Sequence, residues 1–235
     1  MLDEIDTVDW EAIPGHPRCY QPDSAARGLR ALAEAANLVA AAEAGSQLGG
    51  GGIVHRHSAA VFPAAVTAAP LLLDIAERGH PAAQATALGL LDEALSSYPH
   101  DGYTRVADPA GIAVPLCCAI AGHLRERTDF LVGLGKRGRS LLADAATHWR
   151  FEVRECAAVG GDAAAFGVMA GRLPDGVQTA EIHLAGAITG LSELTLAYPP
   201  VENSPEACLR VIGCRPAQLP PGAVLLSAEC GECVH

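Results

Sequence analysis

Apolar residues recur at intervals of three and four along most of the chain, which is the spacing of an amphipathic helix. Between Ser24 and Leu48 one face is formed by Leu29, Leu32, Ala36 and Val39. Asp23 or Ser24 can cap this helix, and we predict that it ends at Gly45. The four glycines at 49–52 then predict a loop, because glycine has the greatest backbone freedom.

The same spacing predicts further helices up to residue 134. One covers 59–76 despite Pro63 and Pro70, a second begins at Pro81 and stops before Pro99, and a third begins near Val114. Residues 96–111 are rich in turn formers and lack periodicity, so we predict a long loop there.

The second half of the chain shows the same pattern of short helices separated by Gly, Pro or Asp. We predict helices at 138–147, 151–159, 162–171, 176–197 and 204–212. Helices that recur as pairs every 35 to 45 residues or so are typical of a helical solenoid. The prediction is therefore an all-α fold, an α-α solenoid of stacked helix pairs over 1–215, followed by a Pro/Gly/Cys-containing tail over 216–235. A compact helical bundle is the alternative.

Two segments resemble HEAT-repeat proteins. In HWRFEVRECAAVGGD, residues 148–162, Val153 and Arg154 match the pair that opens the inner helix of a repeat, although His148 and Trp149 stand where an Asp is usual. HSAAVFPAAVTAAPLLLDIA, residues 57–76, resembles a motif of bacterial HEAT-like proteins. The resemblance implies a HEAT-like fold, and some members of that group look like immunity proteins that neutralise toxins. It places a binding surface around His57, Phe62, Trp149 and Arg154.

The excess of acidic over basic side chains narrows the classes of partner that this protein can bind. The formal net charge is -11, with 27 acidic and 16 basic side chains. This balance argues against nucleic acid, whose binding depends on Lys and Arg displacing counterions from phosphates. It favours a basic protein partner, such as a basic toxin, since opposite charges speed encounter. The acidic N-terminus and the absence of a long uninterrupted apolar run predict a cytoplasmic protein without a membrane span.

The main prediction is a protein without a cofactor, in which His57 packs at a helix start. As the alternative, histidines and cysteines offer two candidate metal sites, for zinc or copper. His55 and His57 form an HxH pair after the glycine loop, and the final residues CGECVH offer Cys230, Cys233 and His235. A fourth ligand for the second site could come from Cys208 or Cys214. A redox disulfide between Cys230 and Cys233 is the alternative reading of the same cysteines.

Other catalytic chemistry finds little support. Cys117 and Cys118 lie on an apolar helical face and are predicted to pack in the core, since the nearest base, His123, falls elsewhere on the helix. The glycine run lacks the Gly-Lys-Ser/Thr ending of a phosphate-binding loop. A basic cluster resembles the DNA-binding face of HEAT-like glycosylases, with Asp129 among Arg125, Arg127, Lys136, Arg137 and Arg139. The global acidity argues against that reading.

Two functional hypotheses follow. The first is a protein-binding helical-repeat scaffold without enzymatic activity. The second is an enzyme or metal-dependent protein of HEAT-like fold that uses the His55/His57 loop or the C-terminal cysteines.

Overall fold

A computed structural model describes residues 2–200 and 204–232, and in it the chain forms two packed halves. The first half is helical and ends at residue 147. The second is a closed, six-stranded antiparallel sheet followed by a short helix.

Eight helices build the first half: α1 Leu2–Thr7, α2 Pro22–Glu34, α3 Leu38–Gly49, α4 Ala64–Arg78, α5 Pro81–Ser96, α6 Leu116–Glu126, α7 Thr128–Gly133 and α8 Lys136–Thr147. Short strands lie between them: β1 Val54–His55, β2 Ala60–Val61, β3 Tyr98–Pro99, β4 Arg105–Ala107 and β5 Ala113–Pro115. β1, β2 and β3 form one small sheet, and β4 pairs with β5. The predicted loop over 96–111 therefore contains two short strands.

The helical predictions for this half are mostly confirmed. The helix at Pro81 begins where predicted, but the single helix between Ser24 and Leu48 is two. Its second part begins after Asn37, whose side chain accepts a hydrogen bond from the backbone N–H of Ala40 at 2.9 Å. That capping bond stabilises a new helix start, which apolar spacing alone does not reveal.

The second half consists of β6 Arg150–Val159, β7 Asp162–Ala170, β8 Gln178–Leu184, β9 Ala187–Tyr198, β10 Glu206–Val211 and β11 Val224–Ser227, and then α9 Ala228–Glu232. The strands are hydrogen-bonded in the order β10-β7-β6-β11-β8-β9, and β9 also pairs with β10, which closes the sheet. Its interior holds a separate apolar core that includes Trp149, Phe151, Val153, Leu209 and Leu225.

The predicted all-α, HEAT-like solenoid is therefore wrong. The segments 151–159, 162–171, 176–197 and 204–212 are strands, and Val153 and Arg154 lie in β6 rather than in a helix. β6 begins with a strand-like alternation in which Phe151 and Val153 are buried and Glu152 and Arg154 are exposed. Alanine is the best helix former, but helix propensity is a weak preference, and strand pairing overrides it in the alanine-containing end of β6.

The hairpin between β6 and β7 shows why the sheet forms. Gly160 and Gly161 are the whole loop, and Gly160 has φ +64°, a conformation that glycine adopts without steric cost. Val159 then pairs with Asp162, and the two long strands continue side by side back to Arg150 and Ala170.

The predicted tail contributes to the centre of the sheet. β11 is buried along its whole length and lies between β6 and β8. Its outward side chains Val224 and Leu226 pack with Ile112, Val114 and Cys118 of the helical half. This small apolar cluster joins the two halves.

None of the helices described is long and apolar enough to cross a membrane.

Candidate metal centre

Four metal-ligating side chains meet where three chain segments converge. Cys117 and Cys118 lie in the first turn of α6, His148 directly follows α8, and Cys230 lies in α9. One ligand atom from each of the four residues lies within 4.8 Å of every other one. Nδ1 of His148 is 3.3 Å from Sγ of Cys230. We call these four residues the Cys3His cluster.

Local structure positions each ligand. β5 ends at Pro115 and leads directly into α6, so the two adjacent cysteines are held in the first helical turn. Arg125, two turns further along α6, donates hydrogen bonds to the carbonyl oxygens of Ala145 and His148, at 2.8 and 3.1 Å. These bonds tie the end of α8 to α6. β11, fixed between two strands, passes without a loop into α9 and so delivers Cys230.

Hydrogen bonds among the three thiols, together with burial, shift their pKa values in different directions. Hydrogen bonds donated by Cys117 and Cys118, together with the nearby His148 imidazole, hold the pKa of Cys230 well below its usual range, and burial opposes this shift. The hydrogen bonds with Cys117 and Cys230, together with burial, raise the pKa of Cys118. For Cys117 the hydrogen bond with Cys118 lowers the pKa, but the hydrogen bond with Cys230 and burial outweigh it. The cluster therefore favours one thiolate, and a second or third requires a neighbouring cation.

The donor set fits a tetrahedral zinc ion. Zn–S distances of about 2.3 Å in a tetrahedron separate the ligand atoms by roughly 3.8 Å, which lies within the observed limit of 4.8 Å. Three sulfurs and one imidazole nitrogen are soft or borderline ligands, which select zinc or copper over magnesium or calcium. Small movements of side chains would complete the coordination.

A cavity of about 250 Å³ lies beside the cluster. Cys117, His148 and Cys230 form part of its wall, whereas Cys118, with 5% of its surface exposed, does not line this cavity. Gln178 and Glu229 also line the cavity. One face of the cluster is thus open to a space of small-molecule size.

Among the predicted metal ligands that lie within the described ranges, Cys230 alone belongs to this cluster. Cys233 and His235 lie outside the described residues. Neither Cys208 nor Cys214, the suggested fourth ligands, is among its members. The alternative disulfide between Cys230 and Cys233 also involves a residue outside the described part of the chain.

The HxH pair is arranged differently. The ring centroids of His55 and His57 are 6.0 Å apart, and Nδ1 of His55 lies 2.8 Å from the hydroxyl oxygen of Ser58. His57 is exposed. Within the described part of the chain, neither histidine joins a group of three ligating side chains.

The residues predicted to bind a partner are dispersed. Phe62 and Trp149 are each 1% exposed and belong to different cores. Only His57 and Arg154 are exposed, and they lie in different halves of the molecule.

The predicted basic cluster is largely engaged within the protein. Arg127 pairs with Asp74 and Glu77, and Arg125 donates to backbone carbonyl oxygens. Arg137 donates to the carbonyl oxygen of Ala85 at 2.6 Å. These contacts leave fewer free cations for a phosphate backbone.

The sequence does not reveal the Cys3His cluster. Cys118 is buried, as predicted for a core residue, but its thiol also faces three other ligands. The ligands are separated by 30 and 82 residues, and no standard zinc-finger spacing connects them. Two signals were available: the adjacent Cys117 and Cys118, which offer two thiols from one turn, and Cys230, which the sequence already suggests as a metal ligand.

We find no family model, curated protein or solved structure that this chain matches.

Proposed function

We propose that this protein binds one Zn²⁺ ion through Cys117, Cys118, His148 and Cys230. The observation that carries the proposal is the convergence of four soft ligand atoms, all within 4.8 Å of one another, from three separate chain segments. Four protein ligands of this type are characteristic of structural zinc sites, which leave no coordination position open. Copper(I) is the competing ion for the same thiols.

The proposed ion links the two halves of the molecule. Cys117 and Cys118 belong to the helical half, whereas Cys230 follows the last strand of the closed sheet. His148 lies at the junction between α8 and β6. Because the unfolded chain does not hold these four ligands together, the free energy of metal binding contributes to folding.

The number of protein ligands supports this structural role over catalysis. The cluster offers four ligand atoms, whereas a catalytic zinc ion is held by three and keeps its fourth position for water or substrate.

Metal content tests the proposal. Untagged wild-type protein and the variants Cys118→Ser, Cys230→Ser and His148→Ala are purified in parallel, and zinc is measured by plasma mass spectrometry. We expect each variant to lose one equivalent of zinc relative to the wild type. Cys156→Ser is the matched control, because Cys156 is also half-buried but lies in β6, outside the cluster.

Titration of the metal-free wild-type protein with Co²⁺ supplies a second readout that does not depend on variants. Three thiolates bound to tetrahedral Co²⁺ produce intense sulfur-to-metal absorption in the near ultraviolet. Unchanged zinc content in the Cys230→Ser variant, or Co²⁺ spectra without thiolate absorption, would overturn the proposal.

A second candidate function is a reactive zinc-thiolate centre that attacks small electrophiles. One observation favours it, the exposure of three ligands to the cavity. A zinc-bound thiolate on a cavity wall is a nucleophile toward small electrophiles. Iodoacetamide distinguishes the two: it alkylates sulfur with loss of iodide, and mass spectrometry identifies the modified cysteine. A purely structural centre protects all three cysteines while zinc is bound, whereas an accessible centre reacts at Cys117 or Cys230.

A further inference from the structure

A tight turn brings His16 and Cys19 to the same side of the chain before α2. The backbone N–H groups of Cys19 and Tyr20 both donate to the carbonyl oxygen of His16, at 3.0 and 2.9 Å. Pro17 stiffens the turn by fixing its own φ. A two-residue spacer closed in this way resembles the ligand spacing of zinc-binding turns.

A third ligating side chain reaches this turn from a distant part of the sequence. His100 follows β3, which pairs in parallel with β2. The ring centroids of His16 and His100 are 4.5 Å apart. One ligand atom from each of His16, Cys19 and His100 lies within 4.8 Å of the other two.

Aromatic packing holds the arrangement in place. The ring of His100 stacks on Phe62 with centroids 6.1 Å apart, and Phe62 in turn contacts Tyr20 at 5.4 Å. The hydroxyl group of Tyr20 donates to the carbonyl oxygen of Trp10 at 2.9 Å. These contacts explain how the imidazole of His100 is held, but they do not explain why the Cys19 thiol lies close to both imidazoles.

We propose that His16, Cys19 and His100 form a second metal site, for Zn²⁺ or a similar borderline cation. Two imidazoles and one thiolate are three protein ligands, and all three residues are half-buried. Sites with three protein ligands keep a fourth position for water or a small donor molecule. This centre is therefore open, unlike the Cys3His cluster, and its metal exchanges more readily.

The second site is independent of the first. The two groups share no residue and draw on different chain segments. A metal at the second site connects the N-terminal turn to the segment after β3, and neither segment contributes to the Cys3His cluster. Failure of one proposal consequently leaves the other testable.

Cobalt titration of the untagged, metal-free protein tests this inference. We expect the wild type to bind two equivalents of Co²⁺, and Cys19→Ser and His16→Ala to bind one. The absorption lost in these variants is the weaker part of the thiolate spectrum, because this site has one thiolate and the other has three. Cys230→Ser should instead lose the stronger part.

His57→Ala is the matched control, because His57 is an exposed histidine outside the group. Cys19→Ser keeps the test valid if substitutions of His100 disturb the aromatic stack, since Cys19 contributes no ring. Added imidazole should shift the weaker spectrum alone, by occupying the fourth position. The second site would be overturned if Cys19→Ser and His16→Ala still bound two equivalents of Co²⁺. It would also be overturned if the wild type bound one equivalent and only Cys230→Ser lost Co²⁺ binding.

Discussion

At the scale of single residues, a buried charged group lies where β8 faces the helical half. Glu181 and His183 point the same way from β8, with Nε2 of His183 3.0 Å from a carboxylate oxygen of Glu181. Arg105 of β4 donates to the other oxygen at 2.5 Å. Burial raises the pKa of Glu181, but hydrogen bonds from His183 and Arg105 outweigh it and hold that pKa below the ordinary value of 4.5.

We predict that Glu181→Gln lowers the free energy of unfolding at neutral pH by about 3 kcal/mol, the low end for breaking a buried ion pair, because Arg105 is still partly exposed. The pKa of Glu181 is lower in the folded protein than in the unfolded chain. The ionised carboxylate therefore contributes its full stabilisation above the unfolded pKa, and this contribution is lost as the pH falls through the folded pKa. The free energy of unfolding should therefore fall less steeply with decreasing pH in the variant than in the wild type. Urea denaturation over acidic pH measures it, with exposed Glu193→Gln on β9 as the control. Equal losses in both variants would contradict the prediction.

The other nitrogen of His183 illustrates a limit of sequence reading. Nδ1 is buried, and no hydrogen-bond partner reaches it among the described residues. The Glu181–His183 pair is local, but the sequence carries no signal that Arg105 joins it, since Arg105 is 76 residues from Glu181. Pairings over such distances exist only once the halves are packed.

At the scale of elements, two glycines within helices have opposite surroundings. A Cβ at Gly138 in α8 would lie 1.8 Å from the carbonyl oxygen of Leu131 in α7, far inside contact distance. A Cβ at Gly122 in α6 would meet nothing within 4 Å. Alanine in a helix interior is favoured over glycine by about 1 kcal/mol, so packing decides the outcome at each position.

We predict that Gly122→Ala raises the free energy of unfolding by about 1 kcal/mol. Gly138→Ala should lower it, because overpacking costs about 2 kcal/mol and exceeds the gain in propensity. Chemical denaturation of both variants measures the two signs. Stabilisation by Gly138→Ala would show that α7 can move away from α8 at no cost.

The strands of the second half illustrate the same competition at element scale. Ala163 and Ala165 are buried in β7, while Ala164 is half-buried, so a run of alanines satisfies a strand as well as a helix. Hydrophobicity in such a run cannot set a period, because all of its members are alike. The pairing partners in β6 and β10 decide the conformation.

At the scale of the whole molecule, the proposed zinc ion connects the helical half to the sheet. Removing it should lower the melting temperature by about 10 °C. A ligand at 1,000 times its dissociation constant adds about 4 kcal/mol to the free energy of unfolding. Each kcal/mol shifts the melting temperature of a protein of this size by about 2 to 4 °C. Differential scanning fluorimetry with and without a strong chelator measures the change, and Cys230→Ser should respond less than the wild type, because it has already lost the ion that links the two halves. Hydrogen exchange should accelerate at α9 and the start of α6 and stay unchanged in β9. A chelator-independent melting temperature would contradict a structural role for the metal.

The predicted basic partner stays a prediction. The net charge of -11 is a property of composition and survives the change of fold. The helical-repeat scaffold predicted to bind this partner is not formed by the described residues. A partner surface would have to be defined anew, from the two packed halves.

The sequence by itself predicted most helices of the first half, because amphipathic spacing and proline boundaries are local properties of the chain, although it missed the helix start after Asn37. It also determined the negative charge, and it identified Cys230 as a metal ligand candidate. Only the tertiary structure decided that the second half is a closed sheet, since alanine-rich segments take their conformation from the strands that pair with them. The same holds for the Cys3His cluster: Cys117, His148 and Cys230 lie far apart along the chain, and packing of the two halves brings their ligand atoms together.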